Sequence, residues 1–349
     1  MAAIRWRTCG PLAPGATAGG ETKSFRFAWN VQLSGTTSLH AERRARCDAP
    51  VVIALAPVVR EKAVAFGAQD WLDALPGLLA EVAAEWSLTI TGSLGGGTEA
   101  LVAAVTLDDG TAAVLKAPIP RDDEPARREA IALRLAAGTG CARLLRYDER
   151  RQVLLLERLG RPLEAMAVGR QQRDEILCAT VRRVWRPAAD CGLPTGADAG
   201  RWLSNWITTA WEETGRPCSA RAVEYALACA ARRVAAHDDE RAVLVHGDVH
   251  ASNTLEGTDG FKLIDPNGLL AEPEYDLGVI LREDPIELIR GDPHARARWI
   301  AARTGRNATA IWEWSVAERV STGLLATRVD LQPAGRRLLA GADQIADAV

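Results

Sequence analysis

Apolar positions along the chain change their period several times, and each change marks an element. Up to about residue 57, Gly, Thr, Ala, Ser and Arg mix without a sustained period. The one apolar run there, residues 50–59, is short and interrupted by proline, so residues 1–57 read as a disordered extension. Trp71, Leu72, Leu75, Leu78, Leu79, Val82 and Trp86 then recur at spacings of three and four. That is the mark of an amphipathic helix, and the folded body is expected to begin there. Short β-type runs follow over residues 88–91, 101–107 and 112–116, the last two joined by Asp108-Asp109-Gly110, which predicts a hairpin behind a glycine-rich loop. Asp122 and Asp123 ahead of Pro125 announce a helix, because acidic residues and proline both suit a first turn, and Gly138 stops it after Ala137. Residues 152–159, QVLLLERL, read as a largely buried strand. Residues 172–236 are helical with Pro and Gly breaks, and a β-rich island over 242–265 interrupts otherwise helical sequence. The fold class is therefore α+β: a small β-rich lobe over residues 58–158 and a larger helical lobe over 159–349.

Composition narrows the partners. With 349 residues, 48% of them hydrophobic, the chain can bury one large core or two lobes. A net charge of -3 supplies no basic field to draw a phosphate backbone, so nucleic acid is not an expected partner. The seven cysteines are odd in number and scattered, with no C-x-x-C pair, and read as reduced thiols of a cytoplasmic protein. No run approaches the roughly 18 apolar residues of a membrane-spanning helix, and no basic patch with an apolar leader opens the chain, so no membrane partner is expected.

The chemistry concentrates in His246-Gly247-Asp248-Val249-His250-Ala251-Ser252-Asn253, which has the spacing H-x-D-x-x-x-x-N, and in Leu263-Ile264-Asp265-Pro266 shortly after it. Phosphoryl transfer needs such a set. One carboxylate, Asp248, orients the attacking hydroxyl and takes its proton, while an amide oxygen on Asn253 and a second carboxylate on Asp265 ligate Mg²⁺. Singly, these residues would as readily cap turns; it is their order that speaks for chemistry. His246 and His250 do not make a zinc pair, because Gly247 opposes the helix that an i, i+4 pair requires, and His246 reads as a packing residue. Upstream, Lys116 ends an apolar strand and is the only lysine between Lys62 and Lys262. A lysine there needs an anion, the phosphates of a nucleotide, and a carboxylate on the next helix to aim it. Glu129 in mid-helix is favoured for that partner, with Glu124 at the helix start as its rival. The loop bearing Ser93, Gly95, Gly96, Gly97 and Thr98 has the bare backbone that lets phosphates approach, and Glu157 and Leu159 stand where a hinge would meet the adenine.

With these residues assembled, the sequence resembles the aminoglycoside phosphotransferase family, in its streptomycin 6-phosphotransferase and hydroxyurea phosphotransferase branch. The resemblance runs from about Trp71 to the C-terminus. It rests on W-L-D-A-L-P, L-L-L-E-R-L, H-G-D-V-H-A-S-N and L-I-D-P-N-G-L-L-A-E-P-E-Y-D-L-G. It implies a protein-kinase-like two-lobed fold, ATP and Mg²⁺ as cofactors, Asp248 as catalytic base, Asn253 and Asp265 as magnesium ligands, and Asp276 as a brace of the catalytic loop. It further implies a monomer acting on a small polar acceptor, a streptomycin-like aminoglycoside, with hydroxyurea, a sugar or an amino alcohol as alternatives. A nucleotide-binding scaffold without turnover is the rival outside enzymes. A cationic acceptor would want carboxylates in the helical lobe, and Glu283, Asp284, Glu313 between Trp312 and Trp314, Glu318, and Glu212-Glu213 beside Trp211 are the candidates.

Overall fold

The computed structural model describes residues 53–95, 97–188 and 191–349. The extension expected over residues 1–57 thus lies outside the described residues up to residue 52. The folded body begins earlier than Trp71, with helix α1 (Pro57–Ala65) ahead of α2 (Gln69–Glu85). The proline that interrupts the apolar run is the one that starts α1, at a position where its missing N–H costs nothing. Val59 and Ala63 then pack on Leu72 and Ile119.

The upper lobe is an antiparallel sheet of β1 (Leu88–Ser93), β2 (Ala100–Leu107), β3 (Ala112–Pro118), β4 (Leu144–Asp148) and β5 (Val153–Glu157), in the order β1-β2-β3-β5-β4. Helix α3 (Pro125–Ala136) lies between β3 and β4 in the chain and ends where Ala137 and Gly138 both take positive φ. Strand β4 was not anticipated: it is an edge strand, only partly buried, whose Arg and Asp hide the alternation that marks inner strands. Alternation gives the sheet two faces. Ala113, Leu115, Ala117, Val153 and Leu155 pack with Leu75, Leu79 and Val82 of α2, whereas Leu154 and Leu156 join Ala126, Ala130 and Leu133 of α3. Lys116, offset by one from Leu115 and opposite Leu154, is therefore aimed at α3. Burying a leucine such as Leu115 contributes about 2 kcal/mol, and a slip of one residue would turn Lys116 into the apolar face, so the register is firmly set.

The lower lobe runs α4 (Arg170–Arg182), α5 (Gly196–Glu213), α6 (Ala220–Ala235), β6 (Val243–Val245), β7 (Thr254–Gly257), β8 (Gly260–Leu263), β9 (Leu269–Ala271), α7 (Glu274–Leu281), α8 (Ile286–Ile289), α9 (Ala295–Thr304), α10 (Ala308–Arg328) and α11 (Ala334–Ala348). Side-chain caps start several of them: Thr195 and Asp198 form a reciprocal box on α5, Ser219 caps α6 and Asn307 caps α10. Helix α10 is the hub, buried at every position from Ala310 to Leu324 and packed among α5, α6, α7, α9 and α11. It meets α7 so closely that a Cβ on Gly278 would come 2.5 Å from the Cβ of Trp314. Strands β6 and β9 pair, as do β7 and β8, and the loop between β6 and β7 opens under the upper sheet. No helix among the described residues is long and apolar enough to cross a membrane.

Candidate active site

Strand β6 leads into the segment from His246 to Asn253, and β7 leads out of it. Gly247 turns with φ +87, where a Cβ would lie 3.0 Å from that of Asn267, so glycine alone fits. Its N–H donates to Asp276 Oδ1 at 2.7 Å, while His246 N–H and Trp185 Nε1 donate to Oδ2 at 3.0 and 2.9 Å. These donors compensate a fully enclosed carboxylate at the start of α7, although burial still lifts its pKa to about 6. His246 is equally enclosed. Its Nδ1 accepts from Asp248 N–H at 3.2 Å and its Nε2 lies 2.9 Å from the Ile264 carbonyl, which fixes the tautomer. Burial pushes its pKa down to about 4. Both ring nitrogens are engaged, and among the described residues no group of three or more His, Cys, Asp or Glu could hold a metal ion.

Asp248 is 1% exposed, and its two oxygens have different neighbours. Oδ1 accepts from Arg282 Nη2 at 2.8 Å. Oδ2 lies 3.3 Å from both His250 Nε2 and Asn253 Nδ2, long contacts compared with that ion pair. Burial alone would raise the Asp248 pKa, but His250 and Arg282 outweigh it and hold the carboxyl far below the usual range. Burial would lower that of His250, and Asp248 reverses the sign. Asn253 accepts through its own carbonyl from Ile264 N–H at 2.9 Å, which joins the Asp248 loop to the segment carrying Asp265.

On the upper side Lys116 Nζ is 2.6 Å from Glu129 Oε2 and 2.8 Å from Asp265 Oδ1, a residue 149 positions away in the chain. Burial would lower the lysine pKa, but Asp265 and Glu129 together leave it above its ordinary value. Burial pushes Glu129 up to about 7 against the pull of Lys116, and the charge on Asp265 adds to the rise. Asp265 has φ 58 immediately before Pro266, a backbone state that a non-glycine residue preceding proline avoids. Strain of this kind persists where a side chain must be aimed. Here it delivers the carboxylate to Lys116.

Gly97, Thr98, Lys116, Glu129 and Asp265 line one cleft between the lobes. Gly97 has no room for a Cβ, which would meet the Ala100 carbonyl at 2.9 Å. Ser93, at the end of β1, and Gly95 stand outside that lining, and Gly96 lies outside the described residues. Glu157 closes β5. Its N–H donates to the Arg143 carbonyl at 3.0 Å, and its carboxylate accepts from Arg143 N–H and from Lys262. Leu159 follows, half-buried, on the segment joining the lobes. The rival Glu124 is the N-cap residue of α3, and its carboxylate lies 3.7 Å from Arg127.

Two neighbours of Asp248 were missed in the sequence. Arg282 was invisible because nothing in its surroundings marks it as buried; the only signal is a charge placed directly after the apolar run of α7. His250 was weighed only as a metal ligand. Most acceptor candidates are already matched. Asp284 pairs with Arg170 and Arg296, Glu313 with Arg232 and Arg233, Glu212 with Arg216, and Glu213 with Arg328. Glu318 is wholly enclosed, and Glu283 is well exposed beside Arg282.

A five-stranded antiparallel sheet hung over a helical body, with a cleft between, is the protein-kinase-like fold. An aminoglycoside phosphotransferase crystallised with ADP and hygromycin B superposes with a TM-score of 0.55 at 14% identity, covering 77% of this chain and 97% of that one. The macrolide 2'-phosphotransferase MphH of Brachybacterium faecium gives 0.51 at 18%, covering 76% and 97%. The family model for aminoglycoside/hydroxyurea antibiotic resistance kinases matches residues 85–313, and the chain belongs to that family. It is thus a phosphotransferase with a hydroxyl acceptor. A hydroxyurea phosphotransferase of Kitasatospora aureofaciens is 33% identical over 267 residues, 70% of this chain and 75% of that one. A streptomycin 6-kinase of Streptomyces glaucescens is 28% identical over 284 residues, 74% and 89% of the two chains.

Proposed function

We propose that the protein transfers the γ-phosphoryl group of ATP, with Mg²⁺, to a hydroxyl of a small polar acceptor, a streptomycin-like aminoglycoside. The observation that carries this reading is the Lys116 bridge, which gathers a cation and two carboxylates from distant parts of the chain into one cleft. Lys116 turns to the phosphates and Glu129 keeps it aimed, with Gly97 and Thr98 flanking and Ser93, Gly95 and Gly96 completing the loop. Glu157 and Leu159 flank the adenine. Asp265, with the amide oxygen of Asn253, forms an all-oxygen pair suited to a hard cation that retains water and phosphate ligands. That cation would neutralise charge on the triphosphate. Asp248, ionised and with Oδ1 held by Arg282, offers Oδ2 to the acceptor hydroxyl and takes its proton. Because such transition states are loose, charge stabilisation contributes more than proton removal.

One observation favours a second acceptor class. The carboxylates that would greet a polycation are paired with arginines, which suits an uncharged acceptor such as hydroxyurea. A coupled ADP-release assay with ATP, Mg²⁺, streptomycin, other aminoglycosides, hydroxyurea and amino sugars decides between them. The expected result is streptomycin-dependent release that Asp248→Ala lowers by at least about 10³-fold while ATP affinity stays within about threefold. Loss of nucleotide binding in step with turnover would remove Asp248 from its role.

A further inference from the structure

Behind Asp248 lies a second carboxylate that the reaction as described does not use. Glu318, in the middle of α10, is 0% exposed. Its Oε1 accepts from the hydroxyl of Tyr275 at 2.7 Å, and its Oε2 stands 3.9 Å from Arg282 Nη1. Arg282 Nη2 in turn donates to Asp248 Oδ1 at 2.8 Å. One guanidinium therefore sits between two enclosed carboxylates, close to Asp248 and further from Glu318, with the exposed Glu283 3.5 Å from its Nε. Burying a carboxylate is costly, and this one lies in the stretch of α10 that is buried at every position from Ala310 to Leu324. Burial raises the Glu318 pKa to about 8, against the pull of Arg282.

The geometry has a direction. Tyr275 occupies Oε1, so Glu318 turns Oε2 to the arginine, and at 3.9 Å that oxygen lies beyond hydrogen-bond reach and leaves the guanidinium on Asp248. The edge of Tyr275 packs on Trp314, ring centroids 4.7 Å apart, which immobilises the phenol. We propose that Glu318, fixed by Tyr275, is a positioning residue for phosphoryl transfer: it sets Arg282, which sets the rotamer of Asp248 and so the oxygen shown to the acceptor. The inference rests on the role given to Asp248 above.

The test reads ADP release from ATP and Mg²⁺ alone, with streptomycin, and with hydroxyurea, so that slow hydrolysis reports even where neither acceptor reacts. Glu318→Gln keeps the shape and an acceptor for Tyr275, and is expected to lower kcat about tenfold with KM for ATP within about twofold. In an Arg282→Lys background the same substitution should cost less than about twofold, because its route to Asp248 has gone. A kcat equal to that of the wild type, a matching rise in KM, or the full tenfold loss persisting in that background would each overturn the proposal. If Glu318→Gln does not fold, Tyr275→Phe takes its place, with about threefold expected and an unchanged kcat overturning the idea. Asp248→Ala in the same assay separates the two claims. If it remains active, the role of Asp248 fails; if it is dead while Glu318→Gln is fully active, only the positioning role fails.

Discussion

The two walls of the cleft are built on opposite principles. Above, Lys116 is shared between Glu129 and Asp265, and the bond to Asp265 crosses from one lobe to the other. Below, Asp248 is surrounded by Arg282, His250 and Asn253, while Asp276 holds the backbone leading to it. On the reading proposed above, Lys116 would exchange Asp265 for a phosphate and Asp265 would exchange Lys116 for a cation, while Glu129 stays on the lysine. The lower groups hold Asp248 and its loop from several sides at once. Preorganisation where charge and protons shift, with exchangeable pairing where the nucleotide must enter, is what electrostatic catalysis requires.

Breaking the upper wall should give the largest effect. Lys116→Met leaves Glu129 and Asp265 facing each other, and both terms of the kinetics should suffer: kcat lower by at least about 10³-fold and ATP affinity at least about tenfold weaker, so that kcat/KM falls further than in Asp248→Ala. Titrating nucleotide by calorimetry beside steady-state rates checks this, and an affinity equal to the wild type's would erase the contrast with Asp248. The lower wall is tested by acid. His246 has its pKa depressed from 6.5 to about 4 in the folded state, so the unfolded chain binds the extra proton first. That stability is fully present above pH 6.5 and is lost as pH falls toward 4, by up to about 3 kcal/mol. Urea titrations across that window should show a steeper decline in the wild type than in His246→Gln, and parallel curves would assign the acid sensitivity elsewhere. The smallest effect belongs at the edge of the upper lobe, where Lys62 of α1 reaches Glu99, itself paired with Arg121 beside the glycine-rich loop. Partly exposed pairs of this kind are worth about 1 kcal/mol or less, so Lys62→Met should barely change the melting temperature. A loss several times larger would make this pair a main support of the upper lobe.

The elements that could be read from the sequence were those whose cause is local. The β2–β3 hairpin follows from alternation and Asp108-Asp109-Gly110, α3 from Pro125 and Gly138, and the loop from His246 to Asn253 from spacing alone. The Lys116–Glu129 pairing is accessible too, because an isolated lysine in an apolar strand demands an anion. The hidden parts depend on distant contacts. Arg282 touches Asp248 across 34 residues and Glu318 reaches it from further still, so no window of sequence contains the relation. Helix α10 resisted for another reason: buried all round, it has no polar face to set its period against. Helix α1 is hard to see in the sequence because the proline that breaks an apolar run is also the residue that starts the helix.

That all-round burial of α10 sets an order of events during synthesis. All five strands of the upper sheet lie within residues 88–157, and the segment holding Asp248 emerges well before α10. The helix that supports Arg282 does not begin until Ala308, and it can be enclosed only once α11 has followed it out. A chain grown to the end of β9 therefore carries every residue of the Lys116 bridge and of the Asp248 loop while Arg282, and Glu318 behind it, are still to come.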